Sequence, residues 1–196
     1  MELIDITKDG DIVVKAGDDK SAVVVRAHSS YLKSASPVFK AMLEGAFIEG
    51  STSYSIDHPL LLPDDDPQAF LHFCKIIHHQ PQNKLPLKVI GALTIFADKY
   101  QCVEIIRDHV AATLGGYFDH TIEESLRLPN SIYIGDLVFV AFILGDAQLL
   151  WRGTRELCGN HNLEGLGSAV DRRLKEIASV DLIGEYMASS RAYDLD

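Results

Sequence analysis

Asp64-Asp65-Asp66-Pro67 constrains this chain more than any other stretch, because it fixes where a helix must begin. A carboxylate just ahead of a helix accepts the free backbone N–H groups of the first turn. Proline at the first helical position loses nothing by lacking an N–H, and negative charge suits the positive end of the helix dipole. Phe70, Phe73, Cys74 and Ile77 then follow at intervals of three and four, which lays one apolar stripe along the helix. A stripe of that kind needs a partner layer, and His78-His79-Gln80-Pro81 ends it abruptly.

The segments on either side supply the partners. Asp11 to Ala16 is β-branched and runs into Gly17-Asp18-Asp19, and Ala22 to Ala27 reads as a second strand, so the chain opens on a hairpin. Ser29 or Ser30 is placed to cap a short helix through Leu32. Ser36-Pro37 reads as an N-cap and first helical residue, starting a helix to Glu44 with Val38, Phe39, Met42 and Leu43 on one side. Tyr54 to Leu62 reads as extended. Pro86 opens a helix whose inner face carries Val89, Ile90, Leu93, Phe96, Ala97 and Tyr100. After a break near Gln101 comes another, with Val103, Ile106, Val110 and Leu114, closed by Gly115-Gly116.

Beyond Gly116 the pattern is purely helical. Thr121-Ile122-Glu123-Glu124 has the form of a capping box. Tyr133 to Leu144 reads as a buried helix, Gly145-Asp146 breaks it, and Ala147 to Cys158 forms the next helix, stopped by Gly159. Asn160 to Gly167 reads as a loop, Ser168 caps a helix to about Ser179, and the tail from Asp181 reads as one more short helix.

Charge narrows the classes of partner. The 196 residues include 28 Asp and Glu against 18 Lys and Arg, a formal charge of -10. Such a surface repels phosphate backbones and anionic lipid, so neither nucleic acid nor membrane is an expected partner, and a neutral or basic protein is. Cys74, Cys102 and Cys158 are too few and too scattered for a disulfide framework. The apolar run from Ile132 to Gly145 is short and interrupted by Asp136, so it does not span a bilayer. A reducing intracellular compartment, cytoplasm or nucleus, is the expectation.

Chemistry is hard to place in this sequence. No Gly-x-Ser-x-Gly elbow, phosphate loop or dinucleotide fingerprint is present, and His58, His72, His109, His120 and His161 are scattered. Cys74 and His78 stand four apart beside His79, but Cys74 belongs to the apolar stripe and no second pair has ligand spacing. Asp64-Asp65-Asp66 lacks the alternating ligands and central glycine of a calcium loop, and helix capping explains it better. No catalytic residue, cofactor or metal is therefore expected. The competing possibility is a helix-rich enzyme or ligand binder, whose mark would be a deep pocket with converging polar groups.

The order of landmarks resembles the BTB/POZ family. Val24-Val25-Arg26-Ala27-His28-Ser29-Ser30-Tyr31-Leu32, then Ser36-Pro37-Val38-Phe39, then Met42-Leu43 and Phe47-Ile48-Glu49 are similar to its signature. Leu61 to Pro67 with Ala69-Phe70, and Ala97-Asp98-Lys99-Tyr100, match its later landmarks. Each is weak alone; in order, across about residues 11–115, they are specific. The form most resembles the fungal branch, in which a His-His ending replaces a Tyr-Thr-Gly turn. Residues 117–196 are similar to the helical extension of such proteins, mainly through Ala141 to Asp146 and Trp151 to Leu157.

The resemblance implies an α+β fold: a BTB/POZ core at 1–116, with a small mixed sheet flanked by helices, then an all-helical extension at 117–196. It implies protein binding, as an adaptor on a cullin-type ubiquitin ligase or as an oligomerising scaffold in transcriptional regulation without a cullin. The family's cullin-docking pattern, a hydrophobic residue, any residue, then Glu, falls on Phe47, Ile48 and Glu49. Phe47 is either a partner anchor or a lid on the core, and Glu49 either orients a partner or is a local cap or surface charge. Asp11 and His28 match fold-determining positions and are read as structural hydrogen-bonding residues. A homodimer is a further implied partner. Members that exchange N-terminal strands carry a longer leading segment than the ten residues before Asp11, although Leu3-Ile4-Asp5-Ile6 has the composition of a short strand.

Overall fold

The computed structural model describes residues 2–44, 53–82, 84–118 and 131–159 of the chain. The architecture is α+β. A four-stranded mixed sheet has the order β1-β3-β2-β4, built from β1 (Leu3–Asp5), β2 (Ile12–Ala16), β3 (Val23–Ala27) and β4 (Leu60–Leu62). The helices among the described residues are α1 (Ser29–Ala35), α2 (Pro37–Glu44), α3 (Pro67–Ile77), α4 (Leu87–Lys99), α5 (Val103–Phe118), α6 (Ser131–Leu144) and α7 (Ala147–Gly159). None of them is long and apolar enough to cross a membrane.

The hairpin β2–β3 is antiparallel, with Val14 opposite Val25, and β-branched residues fill both strands. β1 runs parallel to β3 of its own chain, pairing Ile4 with Val25, and β4 runs parallel to β2. Alternation along the strands sends Ile12, Val14, Ala16, Val25, Ala27, Leu60 and Leu62 into the core. Gly17 ends β2 at φ 93°, and its N–H donates to the Leu62 carbonyl at 2.9 Å. A Cβ at Gly17 would stand 2.5 Å from Pro67 Cγ, so the turn and the start of α3 are fitted together there.

α3 lies against β3, α1, α4 and α5, and α4 in turn packs against α5 and α6. Their shared interior is aromatic. Phe39 stacks on Tyr100 at 4.4 Å with the planes 4° apart, and Phe96 lies 4.4 Å from Tyr100 and 5.2 Å from Phe73. Phe70 closes the group at 5.9 Å from Phe96. The same core extends through Phe139, Val140, Ala141, Leu144 and Leu149 of α6 and α7.

Local signals decide most boundaries, and the exceptions have physical causes. Ser29 is the first helical residue of α1 and not its cap, and the helix runs beyond Leu32 to Ala35. Most of Tyr54–Leu62 is not strand: Ser55 and His58 exchange backbone hydrogen bonds of 3.1 and 3.2 Å around Ile56-Asp57, which closes a turn and leaves only Leu60–Leu62 to pair. Gly115-Gly116 does not close α5, which continues to Phe118. Glycine weakens a helix but stops one only where it turns left-handed, and neither residue does. Gly145 does so, at φ 64°, and Asp146 caps α7 by accepting the N–H groups of Gln148 and Leu149, both at 3.0 Å. The capping box at Thr121 and everything from Asn160 onward lie outside the described residues.

Candidate functional site

Phe47, Ile48 and Glu49 lie outside the described residues, just beyond the end of α2. What the fold settles is how firmly α2 is rooted. Ser36 is fully buried; its hydroxyl donates to the Tyr100 carbonyl at 2.6 Å and accepts the Phe39 N–H at 3.1 Å. One side chain therefore caps α2 and ties it to the end of α4. The stacked pair Phe39–Tyr100 adds a second tie between the same elements.

Tyr100 also reaches the start of α3. Its phenol donates to Asp65 Oδ2 at 2.8 Å, while Lys99 Nζ donates to Asp65 Oδ1 at 2.8 Å. Burial, then the bond to Asp65, pushes the Tyr100 phenol far above its ordinary range, so it remains a donor at every physiological pH. Asp66, the next residue, caps α3 through Gln68 and Ala69 N–H groups at 2.9 Å. The acidic run thus divides its labour: Asp66 caps as expected, and Asp65 is a buried tertiary tie that helix-end logic does not foresee. At the far end of α2, Glu44 pairs with Lys33 of α1 at 3.3 Å.

A second polar cluster sits where β3 passes into α1. Asp11 accepts the Ser29 N–H at 2.6 Å on Oδ1 and the Ser29 hydroxyl at 2.7 Å on Oδ2. The cap of α1 therefore comes from eighteen residues upstream, not from the serines themselves. Partial burial opposes ionisation of Asp11, yet the bonds from Ser29 outweigh it and hold its carboxyl below the usual range. Asp9, held low chiefly by the Thr7 hydroxyl, stands 3.4 Å from His28 Nε2. The Asp11 carboxylate is 3.9 Å from His28 Nδ1.

His78, the C-cap residue of α3, closes this cluster. The His28 backbone N–H donates to His78 Nε2 at 3.1 Å, and His78 Nδ1 meets the Cys74 carbonyl at 2.8 Å. The Tyr31 ring packs on it at 4.6 Å, and Tyr31 itself is 42% exposed. Asp11 was legible as a structural hydrogen-bonding residue and acts so, whereas His28 bonds to His78 through its backbone N–H and its ring lies beside Asp9 and Asp11. The part played by His78 was not legible, because its partner is fifty residues away.

Cys74 points into the core, where burial pushes its thiol far up, so it presents no thiolate beside His78 and His79. Among the described residues no three His, Cys, Asp or Glu side chains are grouped to hold a metal ion. The arrangement thus consists of two ties, Asp65–Tyr100–Ser36 and Asp11–His28–His78, which fix α1 and α2 on the sheet and the helical layer behind it.

Comparison with protein-family models finds one that matches residues 5–113, from β1 to within α5, and its description is BTB/POZ domain. Comparison with curated proteins finds no match.

Proposed function

Because the chain belongs to the BTB/POZ domain family, whose members are in general protein–protein interaction modules, we propose that it is a non-catalytic adaptor docking on the scaffold of a cullin-type ubiquitin ligase. The docking element is the segment Phe47-Ile48-Glu49. Phe47 supplies an aromatic anchor for a groove on the partner, and Glu49 orients it by charge. The observation that carries this reading is the rooting of α2. Ser36 and Phe39 hold α2, the helix that leads into the segment, against Tyr100. The net charge of -10 favours a basic surface on the partner.

We also read the His78-His79 ending, by its resemblance, as that of the fungal branch of the family. We divide it into a BTB/POZ unit at 1–116 and a helical extension at 117–196 that carries the contact to a recruited substrate. No chemical step is assigned to it: the acidic and imidazole groups of both ties are occupied with backbone and structural partners.

Pull-down with a cullin N-terminal domain tests the reading. Capture by the wild-type chain should fall about tenfold or more in Phe47→Ala, the loss typical of a buried aromatic anchor. Equal capture by both forms removes this interface. If neither form is captured and the chain sediments as a dimer or larger at micromolar concentration, the oligomerising scaffold without a cullin replaces the adaptor.

A further inference from the structure

We propose that His78 is an acid-sensitive latch, which holds α1 and the end of β3 against the end of α3 only while its ring is neutral. The chemistry of its two partners fixes the ring's state. The Cys74 carbonyl can only accept, so Nδ1 must carry the proton; the His28 backbone N–H can only donate, so Nε2 must be bare. Protonation therefore does not merely add charge. It places a second N–H against the His28 N–H, two donors facing each other across 3.1 Å, and the bridge is lost.

The surroundings set the sign. Burial is the largest influence and opposes the charged ring, the Cys74 carbonyl works the other way, and the imidazoles of His28 and His79 oppose a further charge; together they hold His78 below the ordinary histidine range. Every element packed around the ring contributes a group. His28 stacks on it at 6.2 Å from the β3–α1 junction, Tyr31 lies on it at 4.6 Å from α1, His79 follows on the end of α3, and Asp9 and Asp11 stand 3.4 and 3.9 Å from nitrogens of the His28 ring. A group whose folded pKa is depressed stabilises the protein fully above its unfolded value, about 6.5 for histidine, and that stability is lost as pH falls through the window below it. Asp9 and Asp11 are also held low, but their window lies below the unfolded carboxylate value of about 3.9 and does not overlap.

The latch has a structural consequence. His28 is the residue from which α1 departs, and Tyr31 rests on the His78 ring, so acid loosens that junction and the exposed aromatic side chain while Asp11 keeps its hold on Ser29.

Two measurements on the full chain decide the matter. His78→Gln retains an acceptor near the position of Nε2 and cannot titrate. Between pH 7.5 and 5.5 the melting temperature of the wild type should fall about 2–4 °C more than that of the variant. His109, also held low by burial, acts equally in both forms and cancels in the difference. Nitrogen chemical shifts of the wild-type ring should show the Nδ1–H tautomer at neutral pH and a midpoint below about 6.5. Parallel melting curves, or a His78 midpoint at or above that value, overturn the latch. If the glutamine variant does not fold, the ring titration alone decides.

Discussion

The carboxylate of Asp65 differs from those of Asp64 and Asp66 in what it meets. It is 7% exposed, accepts the Tyr100 phenol and Lys99 Nζ, and so joins the start of α3 to the end of α4. Lys99 is half exposed, and its share is worth under about 1 kcal/mol. The phenol is the stronger partner, because removing Asp65 leaves a buried O–H without an acceptor, which costs about 1–3 kcal/mol. Asp65→Ala and Tyr100→Phe should each destabilise the chain in urea. The double variant should lose about 1–2 kcal/mol less than the sum, which is the coupling of a direct contact; additive losses would show that the two groups do not act together. In the sequence, three adjacent acids before Pro67 all fit one local role. Capping was legible for Asp66 because the N–H groups that donate to it lie two and three residues on. The tie from Asp65 was not, because its partners stand 34 and 35 residues away and no spacing announces them.

Helix ends show the same division between local and remote causes. α3, α4 and α6 all finish with paired backbone bonds around one left-handed residue: His79 at φ 54°, Gln101 at φ 53° and Gly145 at φ 64°. Gly145 was readable because glycine favours that conformation, whereas His79 and Gln101 adopt it against preference and only the sudden end of the apolar stripe marked them. The left-handed cost for a side chain is about 1–2 kcal/mol, and glycine gives back about 0.5–1 kcal/mol through its freer unfolded chain. Gln101→Gly should therefore raise stability by about 0.5–1 kcal/mol, and Gly145→Ala should lower it by a similar amount. No clash adds to the second value, since the atom nearest a Cβ at Gly145 is Arg107 Nη2 at 3.9 Å. Chemical denaturation reads both, and a change of the same sign in the two variants would break the account. Gly115 and Gly116 carry the converse lesson: the residue type suggested a stop, but the helical path continues because nothing turns the backbone left-handed there.

At the scale of the molecule, periodicity made the order of strands and helices legible, and the α+β architecture followed from the resemblance that those landmarks carry. What it left open was how far the core extends along the chain. Phe139, Val140, Ala141, Leu144 and Leu149 are buried in the same cluster as Phe39, Phe70 and Phe96, and α6 packs directly on α4 and α5. The contact is close between α6 and α7 as well, where a Cβ at Gly153 would stand 2.9 Å from Val138 Cγ2. The apolar surface of α4 and α5 thus needs α6 over it. A chain ending after Phe118 would leave that surface in water, at about 25 cal/mol for each Å² uncovered. Against a total stability of about 5–15 kcal/mol, such a loss is decisive. Calorimetry should therefore show one cooperative transition for the whole chain, and a fragment ending at Phe118 that melts at much lower temperature or associates through the bared face. A fragment that keeps the melting temperature of the whole would show that the covering helices add nothing to the core. In that case the residues after α5 form a separate unit, and their role in binding has to be sought apart from the α2 segment.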